Sequence, residues 1–370
     1  MIYCGTALNL DHKLLSANLP LLANSKLEAI EWSFDALYKL EQVPDWFDQL
    51  VKLYSNQKRL IGHGVFFSIF SGKFSSEQKK WLEDLKILSN KYRFDHITEH
   101  FGFMTGEDFH KGAPLSIPMN LTALRIGQDR LKRIQDVSNC PIGIENLAFA
   151  FNVEDVKRQG EFLNDLLSPI NGFMILDLHN LYCQAHNFKI DIDNLLQYYP
   201  LELVREIHIS GGSWEDDIVH YNEKIRRDTH DDSVPSEVYI CLESCLLKLD
   251  NLKYVILEQL SNALESESQQ KKYQSDFYKI LAIVKNNKVD EIRRNDFHPS
   301  FLDISTQEAF EDLHLYQQQA ELSHILVDSK NLEEAKQKLS HSSLRNSDWN
   351  VELWQDNMLY TAMSIAQKWK

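Results

Sequence analysis

The sequence predicts an α/β fold, a (β/α)8 TIM barrel followed by a C-terminal helical extension. Three observations predict it. Eight short apolar runs recur over residues 2–260, each of strand length and most ending in polar residues. Stretches with helical periodicity separate most of them, which is the alternation of a barrel. No GxGxxG or GxxxxGK[ST] loop follows any run, which argues against the rival doubly wound sheet.

The first two runs are "IYCGTALNL" (2–10) and "LEAIEWSF" (27–34). The third, "RLIGHGVFF" (59–67), carries His63 in its second half. "SSEQKKWLEDLKILSNKY" (75–92) reads as a helix before the fourth run, "FDHITEHFG" (94–102), which places Glu99 and His100 near its end. Helical "NLTALRIGQDRLKRIQDV" (120–137) leads to the fifth, "CPIGIENL" (140–147), with Glu145 and Asn146 at its end. The sixth, "GFMILDLHN" (172–180), closes on Asp177, His179 and Asn180. The seventh, "VREIHISGG" (204–212), holds His208, and the eighth, "LKYVILEQL" (252–260), holds Glu258. In the long loop after the seventh run, Asp228 and His230 alternate, a spacing that lets both side chains turn toward one pocket.

The C-terminal ends of barrel strands converge on one face, where such enzymes carry their chemistry. Singly, a His or Glu at a strand end is most often a satisfied polar group. Gathered, imidazoles and carboxylates repel or stay unpaired unless cations lie between them. No compensating cluster of Lys or Arg occurs at the strand ends. Mixed imidazole and carboxylate donors without thiolate suit iron, manganese or zinc. The donors exceed those one ion takes, so two or three ions are expected.

Composition narrows the classes further. The chain is 43% hydrophobic and 25% charged, ordinary for a globular enzyme. The formal charge of −15 disfavours a general nucleic-acid binder, which needs a basic footprint. No apolar run is long enough to span a membrane, and "MIYCGTALNLDHK" has no signal-peptide character. Five scattered cysteines without a CxxC pair read as a reduced, cytoplasmic protein. Cys241 and Cys245, four apart in a helical stretch, read as buried small hydrophobes, and Cys183 as a core residue. No GxSxG elbow is present, which argues against a serine hydrolase.

The segments "HGVFFSIFSG", "ITEHFGF", "PLSIPMN", "IGIENLAFAFN", "LDLHNLYCQAHN", "EIHISGG" and "RDTHDD" occur in this order. As an ordered set they resemble the multinuclear non-heme iron-dependent oxidative enzymes, over roughly residues 1–285. The resemblance implies a TIM barrel that modifies ribosomally made precursor peptides, often at cysteine. It implies His63, His100, Glu145, Asn146, Asp177, His208, Asp228, His230 and Glu258 as an iron-binding shell. It also implies O2 activation at two or three iron ions in mixed-valence Fe(II)/Fe(III) form, with a substrate thiolate on iron; zinc or manganese is the secondary expectation. One departure falls in the sixth run. The family often reads D-x-N-N there, whereas this chain reads Asp177-Leu178-His179-Asn180, so Asn180 takes the expected slot and His179 is an extra imidazole. His179 is thus an alternative ligand or an outer partner, as Glu99 is an outer partner or a salt-bridge residue.

Residues 1–288 are therefore expected to form the catalytic barrel and 289–370 a helical extension. In the extension, Ser305 and Glu308 suggest a capping box, and "NLEEAKQKL" and "SDWNVELWQDNMLYTAMSIAQKW" suggest two further helices. The extension is either packed on the barrel or a docking surface for the precursor or a leader-recognising partner protein. Two other readings fit the ligand order: an endonuclease IV-like tri-metal phosphodiesterase and a non-catalytic metal-binding module. A sugar isomerase on the same barrel is weaker.

Overall fold

The computed structural model describes residues 1–37, 43–106, 109, 111–287, 294–300, 304 and 307–368. The expected boundary at 288/289 and the cap at Ser305 lie outside the described residues. The eight runs form the barrel strands β1 (Tyr3–Ala7), β2 (Ala29–Trp32), β3 (Leu60–His63), β4 (His96–His100), β5 (Ile142–Glu145), β6 (Phe173–Asp177), β7 (Val204–Ile209) and β8 (Tyr254–Leu257). They pair in parallel, each with its sequence neighbours, and β8 closes on β1 with Tyr3 opposite Tyr254. Strands buried on both faces read as apolar runs, which is why the sequence exposed them.

The strands are shorter than the runs at both ends, and the polar residues at their C-terminal ends lead out of the sheet. The sixth run shows how. Asp177 ends β6 and caps helix α6 (Leu178–Asn187), its Oδ1 accepting the Asn180 N–H at 2.6 Å. His179 and Asn180 therefore stand on the first turn of a helix, not on a strand.

Inside the barrel, Ala7, Ala29, Ile61, Tyr254 and Ile256 form a small apolar plug with Tyr3 against it. The remaining interior is largely polar and buried: Glu31, His63, His96, Thr98, Glu145, Asp177, Glu206 and His208. A much larger apolar core fills the layer between sheet and helices. All five cysteines are buried and free, and Cys241 and Cys245 lie on one face of a helix with sulfurs 3.9 Å apart. No helix among the described residues is long and apolar enough to cross a membrane.

The extension wraps the barrel from one end to the other. Near the strand N-termini, Asn295 accepts from Arg205 Nη1 at 2.8 Å and Phe297 packs on Phe173. The helix Leu313–Asp328 is capped by Asp312, whose Oδ1 accepts the Leu315 N–H. Gln319 on that helix donates to Phe70 O at 2.7 Å and accepts from Gly72 N at 2.9 Å. A side chain at Gly72 would meet Tyr316 N at 2.5 Å, so the close approach requires glycine. The last expected helix begins only at Asp356, because Asn350 turns left-handed (φ 49°) and Gln355 N bonds Phe151 O instead. Trp354 stacks on Phe151 at 3.6 Å between ring centroids.

Candidate metal centre

The strand ends bring His63, His100, Glu145, Asp177, His208 and Glu258 together at the C-terminal mouth of the barrel, and the loop after β7 adds Asp228 and His230. His63 Nε2 and His100 Nε2 stand 3.3 Å apart, each 3.6 Å from Glu145 Oε2. Their tautomers follow from the far nitrogens. His100 Nδ1 donates to the Gly64 carbonyl at 3.2 Å. Thr98 Oγ1 donates to Gly62 O, so His63 Nδ1 donates to Thr98 Oγ1 at 2.8 Å. Both Nε2 atoms thus present lone pairs to each other and to a carboxylate oxygen. Three acceptors facing one point repel unless a cation lies there.

The same arrangement recurs around His208. Its Nε2 lies 2.9 Å from Glu31 Oε2, which turns Nδ1 inward, 3.5 Å from Glu145 Oε1 and 3.2 Å from Glu258 Oε2, where a bound cation would take its lone pair. Glu145 thereby faces both groups, one oxygen to each. His230 Nε2 sits 2.8 Å from Asp228 Oδ1 without the alignment of a hydrogen bond, and its Nδ1 is 3.6 Å from Glu258 Oε1. His230 also holds a left-handed backbone (φ 50°), rare outside glycine and strained at functional loops, with its carbonyl tied to Leu260 N at 3.0 Å.

Among the described residues, the buried polar atoms at this mouth without a hydrogen-bond partner include Asp177 Oδ2, Asn180 Oδ1, His208 Nδ1 and His230 Nε2. Buried polar atoms are almost always satisfied, so a cluster of unsatisfied ones marks where a ligand completes the site. The electrostatics agree. Burial, with Glu145 and Asp228 beside it, pushes the Asp177 carboxyl well above the carboxylate range. Burial opposes a charge on His208, yet the acids around it raise it well above an ordinary imidazole, so without a cation among them the ring itself takes up the positive charge that a bound ion would displace. Burial and the neighbouring imidazoles hold His63 neutral. The residues present fit divalent cations of borderline or harder character.

Other expected residues take different places. Asn146 uses both ends of its amide on the backbone of Asp177, accepting from its N at 2.7 Å and donating to its O at 3.2 Å. His179 lies between Arg226 and Asp228, at 3.0 Å from each. Glu99 makes no ion pair among the described residues; it is buried behind Gly64, where burial and the nearby Asp35 raise its carboxyl. The sequence reading missed Glu31, Glu206 and His96. Glu206 Oε2 bonds His96 Nε2 at 2.7 Å and its Oε1 faces His208 Nε2 at 3.7 Å. The signal available was position: each occupies an inward slot, two or four residues before an expected donor or one strand away from it. Exposure shows where the centre opens. His208, His63 and Glu145 are enclosed, whereas His100 (29%) and Asp228 (24%) border solvent.

The sequence model of a family described as "RiPP precursor modification enzyme MbnB/TglH/ChrH" matches residues 36–274. Among curated relatives, a UPF0276 protein of Shewanella sediminis is 26% identical over 201 residues, 54% of this chain and 68% of its own. One from Shewanella loihica is 23% identical over the same shares of both chains. Among solved structures, a xylose isomerase domain protein from Planctomyces limnophilus is similar with a TM-score of 0.49 at 14% identity, covering 77% of this chain and 98% of that one.

Proposed function

The chain belongs to the RiPP precursor modification enzyme family, and from that premise we propose that it is a multinuclear non-heme iron-dependent oxidative enzyme. It uses O2 to modify a ribosomally made precursor peptide at a cysteine. The observation that carries the reading is the convergence of unpartnered imidazole, carboxylate and amide donors at one barrel mouth. Bound iron would supply O2 activation beside a substrate thiolate whose pKa it lowers.

The chain's own residues divide the remaining work. His63, His100 and Glu145 would hold one ion, and Glu145, Asp177, His208 and Glu258 a second. Asp228 and His230, with Glu258 beside them, are the candidates for a third, and Asn180 offers a further open oxygen at this mouth. Thr98, Gly64 and Glu31 fix the far nitrogens of His63, His100 and His208, so that each presents one lone pair inward. The open edge at His100 and Asp228 is where the peptide enters. In this reading residues 1–288 are the catalytic unit, and 289–370 wall its mouth and offer a surface to the precursor or to a leader-recognising partner. The five free cysteines suit the cytoplasm.

Metal analysis with Mössbauer and EPR spectroscopy on anaerobically purified protein tests the assignment. Two or three irons per chain, with a mixed-valence signal that changes on adding a Cys-containing precursor, are expected. Stoichiometric zinc together with phosphodiesterase activity would overturn it in favour of an endonuclease IV-like enzyme.

A further inference from the structure

We propose that His179 is a positioning residue, fixed in one tautomer by Arg226, which holds Asp228 toward the metal centre without binding metal itself. The inference rests on the metal-centre reading above. A guanidinium can only donate, and Arg226 Nε lies 3.0 Å from His179 Nε2, so that nitrogen is the accepting lone pair. Nδ1 therefore carries the proton and donates to Asp228 Oδ1 at 3.0 Å. Both ring nitrogens are used, and no lone pair remains for an ion. The usual pairing of metal, histidine and outer carboxylate is inverted: the carboxylate faces the centre and the imidazole stands behind it.

The surroundings hold this order in place. His179 is fully buried on the first turn of α6. A side chain at Gly212 would meet His179 Cε1 at 2.9 Å and Arg227 O at 2.2 Å, so the ring's position depends on glycine there. The Arg226 guanidinium lies over Trp214 at 4.9 Å and near Tyr182 at 5.7 Å. Its backbone exchanges two hydrogen bonds with the Asn187 side chain, at 2.8 and 3.0 Å. The loop carrying Asp228 is thereby pinned to α6 at two points. Adjacent Asn180 contrasts with His179. Its Nδ2 donates to Asn146 O at 2.8 Å and Glu145 Oε1 at 3.3 Å, and its Oδ1 is buried without a partner. Neighbouring residues on one helical turn thus take separate roles, Asn180 with an open oxygen and His179 with none.

Titrating the metal-free full chain with Co(II) under anaerobic conditions separates the two roles, read as bound equivalents, affinity and ligand-field absorption. Arg226→Met releases Nε2 without touching Asp228 and should weaken one class of Co(II) site by about 10-fold. His179→Ala should weaken it by about 10–100-fold, and His179→Gln, whose amide can still donate to Asp228, by less. Arg226→Met and His179→Gln roughly keep side-chain volume, so the comparison stands even if His179→Ala does not fold. Were His179 a ligand, Arg226→Met would leave Co(II) binding unchanged or tighten it, and either result overturns the proposal alone. A wild-type chain that binds no Co(II) overturns it together with the metal-centre reading.

Discussion

Both ends of this barrel bury ionisable side chains, but they treat them differently. At the strand N-termini, Asp95 receives Arg205 Nη2 at 2.7 Å and Lys253 Nζ at 2.7 Å, and His96 is bonded by Arg205 Nε at 3.2 Å and Glu206 at 2.7 Å. These charges have partners, save the second oxygen of Glu206, which faces His208 toward the other end. Burial resists ionising Asp95, yet Arg205, His96 and Lys253 outweigh it and hold the carboxyl below its ordinary range. At the C-terminal mouth, imidazole and carboxylate groups crowd together, and Asp177 Oδ2, Asn180 Oδ1, His208 Nδ1 and His230 Nε2 make no hydrogen bond. Buried polarity is therefore no sign of a site; buried polarity left incomplete is. Isolated unpaired atoms, such as Trp32 Nε1 and Ser89 Oγ, do not gather in this way.

Three substitutions break or sharpen that contrast. The largest effect is expected of Glu145→Ala, because its two oxygens face separate groups of donors. Metal content and peptide modification should both collapse. The stabilisation that metal gives the wild type, about 3 kcal/mol at a hundredfold excess over Kd, should vanish from melting curves with and without chelator. At the other end, Asp95→Ala strands two cations and should cost about 3–5 kcal/mol in denaturant unfolding while leaving metal stoichiometry intact. Metal loss there would mean that the two ends are not independent.

The smallest effect has the opposite sign. In the metal-free chain, Asp177→Asn removes a carboxyl whose folded pKa is raised. Such a group opposes folding once pH exceeds its unfolded value, an opposition that grows until pH reaches the folded value. At neutral pH, metal-free Asp177→Asn should thus be more stable than metal-free wild type by about 1–3 kcal/mol, and should bind less metal. A destabilised variant would show that Asp177 is paired in solution.

The sequence exposed the eight strands because parallel barrel strands are apolar on both faces. It grouped the strand-end donors because barrel topology alone makes them neighbours. It could not separate His179 from Asn180, since Arg226, the partner on which our proposal turns, lies 47 positions away. By residue type the imidazole looked the better ligand, and our proposal against it rests on its two occupied nitrogens. Glu31 stayed hidden for a related reason. In "AIEWSF" one acid among apolar residues looks like an outward-facing charge, and its inward direction depends on strand register.

The extension's grip on the barrel bears on the order in which the protein can be made. Gln319 ties down a loop 247 residues earlier in the chain, and Trp354 stacks on a ring from the loop after β5. A ribosome emits the barrel strands long before either residue exists. The mouth loops around Phe70 and Phe151 therefore stay unclasped until residues 319 and 354 have left the exit tunnel, so the final geometry around the donors forms late in synthesis. A product truncated before Gln319 would carry the strands of a barrel whose entrance was never set.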